Sequence, residues 1–413
     1  MEKRIYRFIS IITFLAALVM IVALFAGCGD QQNPVGQPAL APGAQSGGNG
    51  DFEPGEVLVK FKHGASSEKV KSLIARHNAV VEDKISGIDV DVLQIGVGQE
   101  LEKAKAFREE PLVEYAEPNY VAYALEIPND PYFWNQWGLT WTQTSDAWNT
   151  THGNSGINIS ILDTGVDQSH QDLMSKITTN QNFTRSKTAD DRYGHGTHVA
   201  GIAAAVTNNG LGIAGIGWGC SLMNVKVLGD KGSGKYSWIA NGIIWAADNG
   251  AKVINMSFGG SRSSDTLKSA VDYAWNKGCV LTAAAGNNSD STPLYPACYD
   301  NCIAVAASDR SDNRASFSNY GDWVDVAAPG VDIFSTLPDH KNRTDQDYYG
   351  YMSGTSMAAS HVAGMAGLVW ATPYGISNTA VRDRIEKHCD PLTGGGVVHG
   401  RINVLKAVDP LTP

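Results

Sequence analysis

The chain has 413 residues, a formal net charge of −10 and 43% hydrophobic residues. This length favours more than one folded module, and a charged fraction of 18% is typical of globular rather than disordered proteins. The negative net charge argues against proteins that bind nucleic acid or anionic membrane surfaces through a positive field.

Residues 1–28 have the pattern of a bacterial export signal. Basic residues at positions 3, 4 and 7 precede an apolar run from Phe8 to Ala26, which ends in Leu24-Phe-Ala-Gly-Cys28. This ending resembles a lipobox, in which Cys28 carries a lipid anchor. An ordinary signal peptide and an uncleaved membrane anchor are the alternatives. All three place the rest of the chain outside the cytoplasm, either secreted or held at the cell envelope.

A linker and a small module follow. Residues 29–52 are rich in Gly, Pro, Gln, Asn, Ala and Ser, which predicts a flexible linker. In residues 53–124 the hydrophobic periodicity predicts strands at Glu56–Lys62, Ala79–Ile85, Val90–Ile95 and Val113–Ala124, and helices at Ser66–His77 and Glu100–Glu109. The resulting order, β-α-β-β-α-β, is that of a ferredoxin-like α+β domain.

From residue 127 to the end of the chain, apolar strands alternate with helices. The predicted strands are Ile157–Leu162, Ser221–Leu228, Ala251–Ser257 and Cys279–Ala285, and the predicted helices are Thr197–Val206, Tyr236–Asn249, Thr266–Lys277 and Met357–Trp370. This alternation predicts an α/β domain with a mostly parallel sheet between helices. Functional side chains of such sheets lie beyond the carboxyl ends of the strands.

Three motifs fall at such places. Asp163 ends an apolar strand in Ile161-Leu-Asp-Thr-Gly, His195 stands in Tyr193-Gly-His-Gly-Thr-His, and Ser356 opens an apolar helix in Ser353-Gly-Thr-Ser-Met-Ala. Each motif alone has a simpler explanation. A strand-end Asp often serves only a turn, His-x-x-His is also a metal-binding spacing, and a serine at a helix start is often a cap.

Together and in this order, the motifs resemble those of the subtilisin-like serine proteases (subtilases), whose triad runs Asp, His, Ser. The resemblance covers nearly all of residues 127–413 and extends especially to the thermitase-like and bacillar branches. It implies a three-layer α/β/α domain acting as a serine endopeptidase on protein and peptide substrates. It also implies that residues 53–124 are a propeptide, which assists folding, inhibits its own protease and is removed near residues 120–127. A monomer is expected.

The resemblance assigns roles within the site. Ser356 is expected to attack the scissile carbonyl, His195 to accept its proton, and Asp163 to orient the imidazole. Asn287, at the end of Ala283-Ala-Ala-Gly-Asn, is the expected oxyanion donor, supported by Thr355. The alternatives are a pseudoprotease, which needs a broken triad, and an esterase, which would carry a Gly-x-Ser-x-Gly elbow.

The substrate is expected to bind in an extended conformation along glycine-rich segments. The residues expected to contact it are Gly234, Ser257, Phe258, Gly259, Ala284, Gly286 and Leu294. The S1 pocket would lie between residues 257–259 and 283–286, with Leu294 making it shallower. No acidic residue is evident there, so we predict broad specificity with apolar or aromatic P1 residues.

The resemblance further implies a structural calcium ion. The expected ligands are the side chains of Asp130, Asp172 and Asn209 and the carbonyl groups of Val206, Leu211 and Ile213, an all-oxygen set that suits a hard cation. Separately, export permits a disulfide between Cys298 and Cys302, with a Cys-x-x-x-Cys metal site as the alternative.

Overall fold

The computed structural model describes residues 52–121, 127–339 and 348–410. The chain divides into two compact units, residues 1–121 and 122–413. The predicted export signal with Cys28, and the predicted linker up to residue 51, lie outside the described residues. None of the helices in the described ranges is both long enough and apolar enough to cross a membrane.

The first unit is an antiparallel sheet with two helices. Its elements are β1 (Phe52–Phe61), α1 (Ser67–Arg76), β2 (Val80–Ile85), β3 (Val90–Gln94), α2 (Glu100–Arg108) and β4 (Val113–Tyr120). The strands are ordered β2-β3-β1-β4, and each adjacent pair is antiparallel. Alternate residues of β1, including Val57 and Val59, are buried with Leu73 of α1 and Phe107 of α2. The predicted small α+β fold is therefore confirmed.

The second unit is built around a nine-stranded sheet. The described residues of this unit form the strands of that sheet and of a separate hairpin: β5 (Asn158–Asp163), β6 (Ile177–Asn182), β7 (Ser221–Lys226), β8 (Ala251–Met256), β9 (Val280–Ala284), β10 (Ile303–Ser308), β11 (Val326–Pro329), β12 (Ile333–Thr336), β13 (Tyr349–Met352), β14 (Cys389–Asp390) and β15 (Gly400–Ile402). Its helices are α3 (Trp137–Trp141), α4 (Thr144–Ala147), α5 (His195–Ala204), α6 (Tyr236–Asp248), α7 (Asp265–Asn276), α8 (Thr355–Trp370), α9 (Asn378–Lys387) and α10 (Val404–Val408). Strands β12 and β13 form a separate antiparallel hairpin.

The strands of the large sheet are ordered β14-β15-β11-β10-β9-β8-β5-β7-β6. All neighbours pair in parallel except the edge strand β14. Strands β7, β9, β10 and β11 are buried along their whole length, as expected for a sheet covered on both faces. The predicted mostly parallel α/β architecture is confirmed.

Two hydrophobic cores lie on opposite faces of this sheet. Ile161 of β5 belongs to a core shared with α5 and α8, and the next residue, Leu162, to a core shared with α6 and α7. Successive residues of a strand point to opposite faces, so one apolar strand supplies both cores. Helices α5 and α8 pack against each other, which brings the histidine and serine motifs to the same side of the sheet.

The predicted disulfide between Cys298 and Cys302 was wrong. Both residues are free thiols in the structure. Cys302 is buried in the core beneath α6 and α7, whereas Cys298 is half-exposed, so the two side chains occupy different environments. Burial raises the pKa of the Cys302 thiol, which keeps it protonated and unreactive. The described residues contain no group of three His, Cys, Asp or Glu that would hold a metal.

Candidate active site

The structure joins the predicted aspartate and histidine directly. Asp163 is the last residue of β5 and is completely buried, and His195 is the first residue of α5. Their side chains meet with 2.7 Å between His195 Nδ1 and Asp163 Oδ1. Glycine is required beside them, because a Cβ on Gly196 would lie 2.1 Å from the carbonyl oxygen of Gly165 and 3.0 Å from the Cβ of Asp163.

Asp191, which the sequence analysis did not single out, holds the two motifs together. Its buried carboxylate accepts hydrogen bonds from the hydroxyl group of Thr164 and the backbone N–H of Gly194. It also accepts bonds from the backbone N–H and hydroxyl group of Thr197. Asp191 therefore links the residue after Asp163 to both sides of His195. The only feature of the sequence that pointed to Asp191 was the position of this acidic residue four residues before His195.

The charge of Asp163 makes the His195 imidazole better suited to act as a base. Burial of the His195 imidazole lowers its pKa, but the charge of Asp163 and its hydrogen bond outweigh this effect, so the net pKa is raised above the ordinary value. The bond to Nδ1 also places a proton on that nitrogen and leaves Nε2 free to accept another. This arrangement permits proton transfer at Nε2.

Ser356 lies in the first turn of α8, directly after the chain passes Gly354. Its hydroxyl group donates to the carbonyl oxygen of Ser257 at 3.0 Å, and the hydroxyl of Ser257 donates to the carbonyl oxygen of Ser356 at 2.8 Å. These bonds fix the nucleophile motif at the carboxyl end of β8. Within the described ranges, Ser356 makes no hydrogen bond to His195.

Asn287 and Thr355, the two residues predicted for the oxyanion site, are in direct contact. Asn287 Oδ1 accepts the backbone N–H of Thr355 at 2.9 Å and its hydroxyl group at 3.0 Å. Because only the oxygen can accept these bonds, the Nδ2 donor faces away from Thr355. A Cβ on Gly354 would lie 3.4 Å from Asn287 Nδ2 and 3.7 Å from the backbone nitrogen of Ser356. Two potential donors thus flank one point beside the nucleophile.

The predicted S1 walls converge on Leu294. A Cβ on Gly259 would lie 3.3 Å from the Cβ of Leu294, and a Cβ on Gly286 would lie 2.3 Å from its Cδ1. Leu294 therefore lies between the two glycine walls. Paired backbone bonds between Gly260 and Tyr295 hold its loop to one of them.

The other predicted contact residues are less closely gathered. Ala284 is buried at the end of β9, and Phe258 packs against the core beneath α6 and α7. A Cβ on Gly234 would lie 2.3 Å from the carbonyl oxygen of Val227, so this glycine packs on the chain after β7 rather than on the S1 walls.

Tyr193, which the sequence analysis did not select, lies against the glycine-rich segment that is predicted to bind the substrate. Its side chain is 58% exposed, and its ring is 2.7–3.0 Å from where a Cβ on Gly232 would stand. The aromatic residue therefore covers the segment that includes the predicted glycine edge. In the sequence, the feature that pointed to Tyr193 was an aromatic residue two positions before the candidate base.

Three of the predicted calcium ligands are joined by hydrogen bonds. Asp130 and Asp172 are both buried, and burial raises the pKa of each carboxyl. Asn209 joins them, since its backbone N–H donates to Asp130 at 3.3 Å and its Nδ2 donates to Asp172 at 2.9 Å. Neither carboxylate forms an ion pair with a cationic side chain of the described residues. The Asn209 side-chain oxygen accepts the backbone N–H of Leu211 and keeps a second lone pair.

The three backbone carbonyls predicted as ligands lie in the same segment as Asn209. The carbonyls of Val206, Leu211 and Ile213 accept no hydrogen bond from any described residue. Tyr349, which sequence reasoning missed, donates its phenol O–H to Asp172 at 2.9 Å. Buried carboxylates need a cation or hydrogen-bond donors, and a hard cation prefers such oxygen ligands. The residues present therefore fit a calcium ion.

Comparisons with known proteins identify the family of this chain. The family described as the subtilase family, Peptidase S8, matches residues 154–400, and the fervidolysin N-terminal prodomain family matches residues 38–119. The thermophilic serine proteinase of Bacillus sp. strain AK1 is 46% identical over 87% of this chain and 88% of its own length. Thermitase of Thermoactinomyces vulgaris is 49% identical over 68% of this chain and 99% of its own.

A solved structure shows the same fold. A protease from Pseudoalteromonas arctica superposes with a TM-score of 0.64 and 33% sequence identity, over 68% of this chain and 99% of that one. The chain therefore belongs to the subtilase family and is a subtilisin-like serine proteinase with an N-terminal prodomain.

Proposed function

We propose that this protein is an exported, calcium-stabilised serine endopeptidase of broad specificity, in which Asp163, His195 and Ser356 form the catalytic triad. The observation that carries the proposal is the bond between the buried Asp163 carboxylate and His195 Nδ1, located at the edge of the sheet where Ser356 and Asn287 also lie. This combination supplies a base, a nucleophile and an oxyanion donor.

The mechanism follows from these positions. His195 Nε2 takes the proton of the Ser356 hydroxyl as its oxygen attacks the scissile carbonyl, and then protonates the leaving amine. Asp163 keeps the other imidazole nitrogen protonated and stabilises the imidazolium. Asn287 Nδ2 and the backbone N–H of Ser356 stabilise the negative oxygen, which exists only in the transition state and tetrahedral intermediate. Water then attacks the acyl-enzyme by the same route and releases Ser356.

Calcium has a structural role in this proposal. Asp130, Asp172 and Asn209, with the three unpaired carbonyls of residues 206, 211 and 213, would hold it and tie together segments distant in sequence. Asp130 and Asp172 are buried carboxylates that destabilise the fold when uncompensated, and a calcium ion held by them would neutralise their charge. Binding to the folded state alone then raises stability as calcium concentration rises.

The domain limits and maturation are also part of the proposal. Residues 1–28 are an export signal with a lipobox at Cys28, residues 29–52 a linker, 53–124 an inhibitory propeptide and 127–413 the protease domain. The mature enzyme acts as a monomer outside the cytoplasm. The match of a prodomain family to residues 38–119 supports the assignment of the propeptide. The proposed cleavage region, residues 120–127, falls mostly outside the described residues.

The test is the intact mass of residues 51–413 expressed with calcium, beside the Ser356→Ala variant. We expect the wild type to lose the propeptide and to degrade unfolded casein, and the variant to do neither. A wild type that stays uncut and leaves casein intact would instead favour a pseudoprotease. Differential scanning calorimetry with calcium and with chelator measures the stabilising role separately.

A further inference from the structure

A buried asparagine outside the catalytic set lies behind the S1 wall. Asn319 is 0% exposed, and its Oδ1 accepts the backbone N–H of Asn288 at 2.8 Å. Because a backbone N–H can only donate, this bond fixes which end of the amide is oxygen. The other end, Nδ2, is a donor and has no hydrogen-bond partner among the described residues.

The unpartnered nitrogen lies beside Gly286, a residue of one predicted S1 wall, and beside the Leu294 side chain. A Cβ on Gly286 would lie 2.8 Å from Asn319 Nδ2, 3.2 Å from its Cγ and 2.3 Å from Leu294 Cδ1. The side-chain direction of Gly286 therefore leads into a region shared by the nitrogen and the leucine methyl group. Leu294 also lies beside Gly259 on the opposite predicted wall, so Asn319 Nδ2 adjoins the one side chain that is close to both walls.

The hydrogen bonds that Asn319 makes to the backbone do not involve Nδ2, so they do not explain why an amide nitrogen is present here. Asn319 stabilises the Asn287 segment through its own N–H, which donates to the carbonyl oxygen of Gly286, and through Oδ1. An aspartate would accept the same bond. Nδ2 is thus an additional donor, and a buried donor that stays unpaired destabilises the fold.

We propose that Asn319 Nδ2 is the hydrogen-bond donor of the S1 floor and that Leu294 is its movable cover. This proposal rests on the proposed endopeptidase function and specifies its P1 preference. The favoured P1 side chains have an unbranched apolar stem that takes the place of the Leu294 methyl group, and an acceptor oxygen at the tip that reaches Nδ2. Glutamine fits this description, and methionine sulfoxide is an acceptor-only probe of methionine shape.

The test compares Ala-Ala-Pro-X p-nitroanilides, with X as methionine, methionine sulfoxide or lysine, on enzyme produced from the full chain. The variant is Asn319→Asp, which keeps the bond from Asn288 and replaces the donor with an acceptor. The matched control is Asn249→Asp, which adds the same charge at an exposed position between α6 and β8, at the opposite edge of the sheet.

At about pH 9, where the introduced carboxyl is ionised and cannot donate, we expect the sulfoxide-to-methionine ratio of kcat/KM to fall about fivefold in Asn319→Asp, since one neutral hydrogen bond is lost. At the same pH, the ratio of kcat/KM for the lysine substrate to kcat/KM for the methionine substrate should rise roughly tenfold in Asn319→Asp, because the ionised carboxylate attracts the ammonium group. The Asn249→Asp control should keep both wild-type ratios. If circular dichroism shows that Asn319→Asp does not fold, Asn319→Ala gives the same readout through the loss of sulfoxide preference.

Unchanged ratios in a folded Asn319 variant would overturn the inference while leaving the protease function intact. Failure of the wild type to cleave the methionine substrate would count against the proposed function itself. The two failures are therefore distinguishable, because one concerns the ranking of substrates and the other concerns any hydrolysis.

Discussion

Thr355→Val tests how the oxyanion donor is held. The buried Thr355 hydroxyl donates to Asn287 Oδ1 at 3.0 Å and accepts the backbone N–H of Gly286 at 3.0 Å. Valine keeps the shape but removes both bonds. The freed Gly286 N–H should lower the free energy of unfolding by about 1–3 kcal/mol. Asn287 keeps only its bond from the Thr355 backbone N–H, so its Nδ2 is less well positioned.

We expect kcat to fall about fivefold, which corresponds to roughly 1 kcal/mol of transition-state stabilisation. KM should change little, because the oxyanion forms only after the substrate is bound. The assay is steady-state hydrolysis of a peptide p-nitroanilide, with thermal unfolding measured in parallel.

Thr355→Ser is the matched control, because it retains the hydroxyl group while losing a methyl group. It should keep kcat within about twofold of the wild type, since the two hydrogen bonds can still form. A valine variant that loses stability but keeps full kcat would refute the positioning role of Thr355. A rise in KM at constant kcat would equally contradict it.

Three further predictions concern the proposed catalytic and calcium residues. Asn287→Ala should lower kcat about 10²- to 10³-fold with little change in KM, measured on the same substrate. Because Asp163 raises the pKa of His195, and the neutral imidazole is the active form, kcat/KM should rise with pH through a midpoint above the ordinary value of 6.5. Asp163→Asn should move this midpoint to lower pH and reduce kcat about 10⁴-fold; an unmoved midpoint would contradict the assignment. Tyr349→Phe removes the O–H donated to Asp172 and should weaken calcium binding about tenfold or more by isothermal titration calorimetry; unchanged affinity would exclude this support.

The strands that carry the site were predictable because their signal is local. Asn158–Asp163 and Val280–Ala284 are apolar runs buried on both faces, and such runs stand out in the sequence. The edge strand Ile177–Asn182 was missed because it is polar and half-exposed. Strand β11 has only four residues, and the β12–β13 hairpin depends on packing between distant segments, such as the contact of Tyr349 with Asp172.

The side chains of the site also divide into those with a local sequence signal and those whose role depends on the fold. Asp163, His195 and Ser356 stand in motifs whose order resembles a known family, so they could be selected from the sequence. Asp191 and Asn319 act through hydrogen bonds to segments that only the fold brings near. Asn319 stands in no distinctive local pattern, and the position of Asp191 four residues before His195 is too weak a signal to select it.

The central claim, that Ser356 is the nucleophile activated by His195, is tested most directly by labelling with diisopropyl fluorophosphate and peptide mass mapping. The calcium-loaded wild type should carry one adduct, on Ser356. Ser356→Ala should carry none, and His195→Ala should be labelled far more slowly. A wild type that is not labelled, or an adduct that persists in Ser356→Ala, would contradict the proposed mechanism.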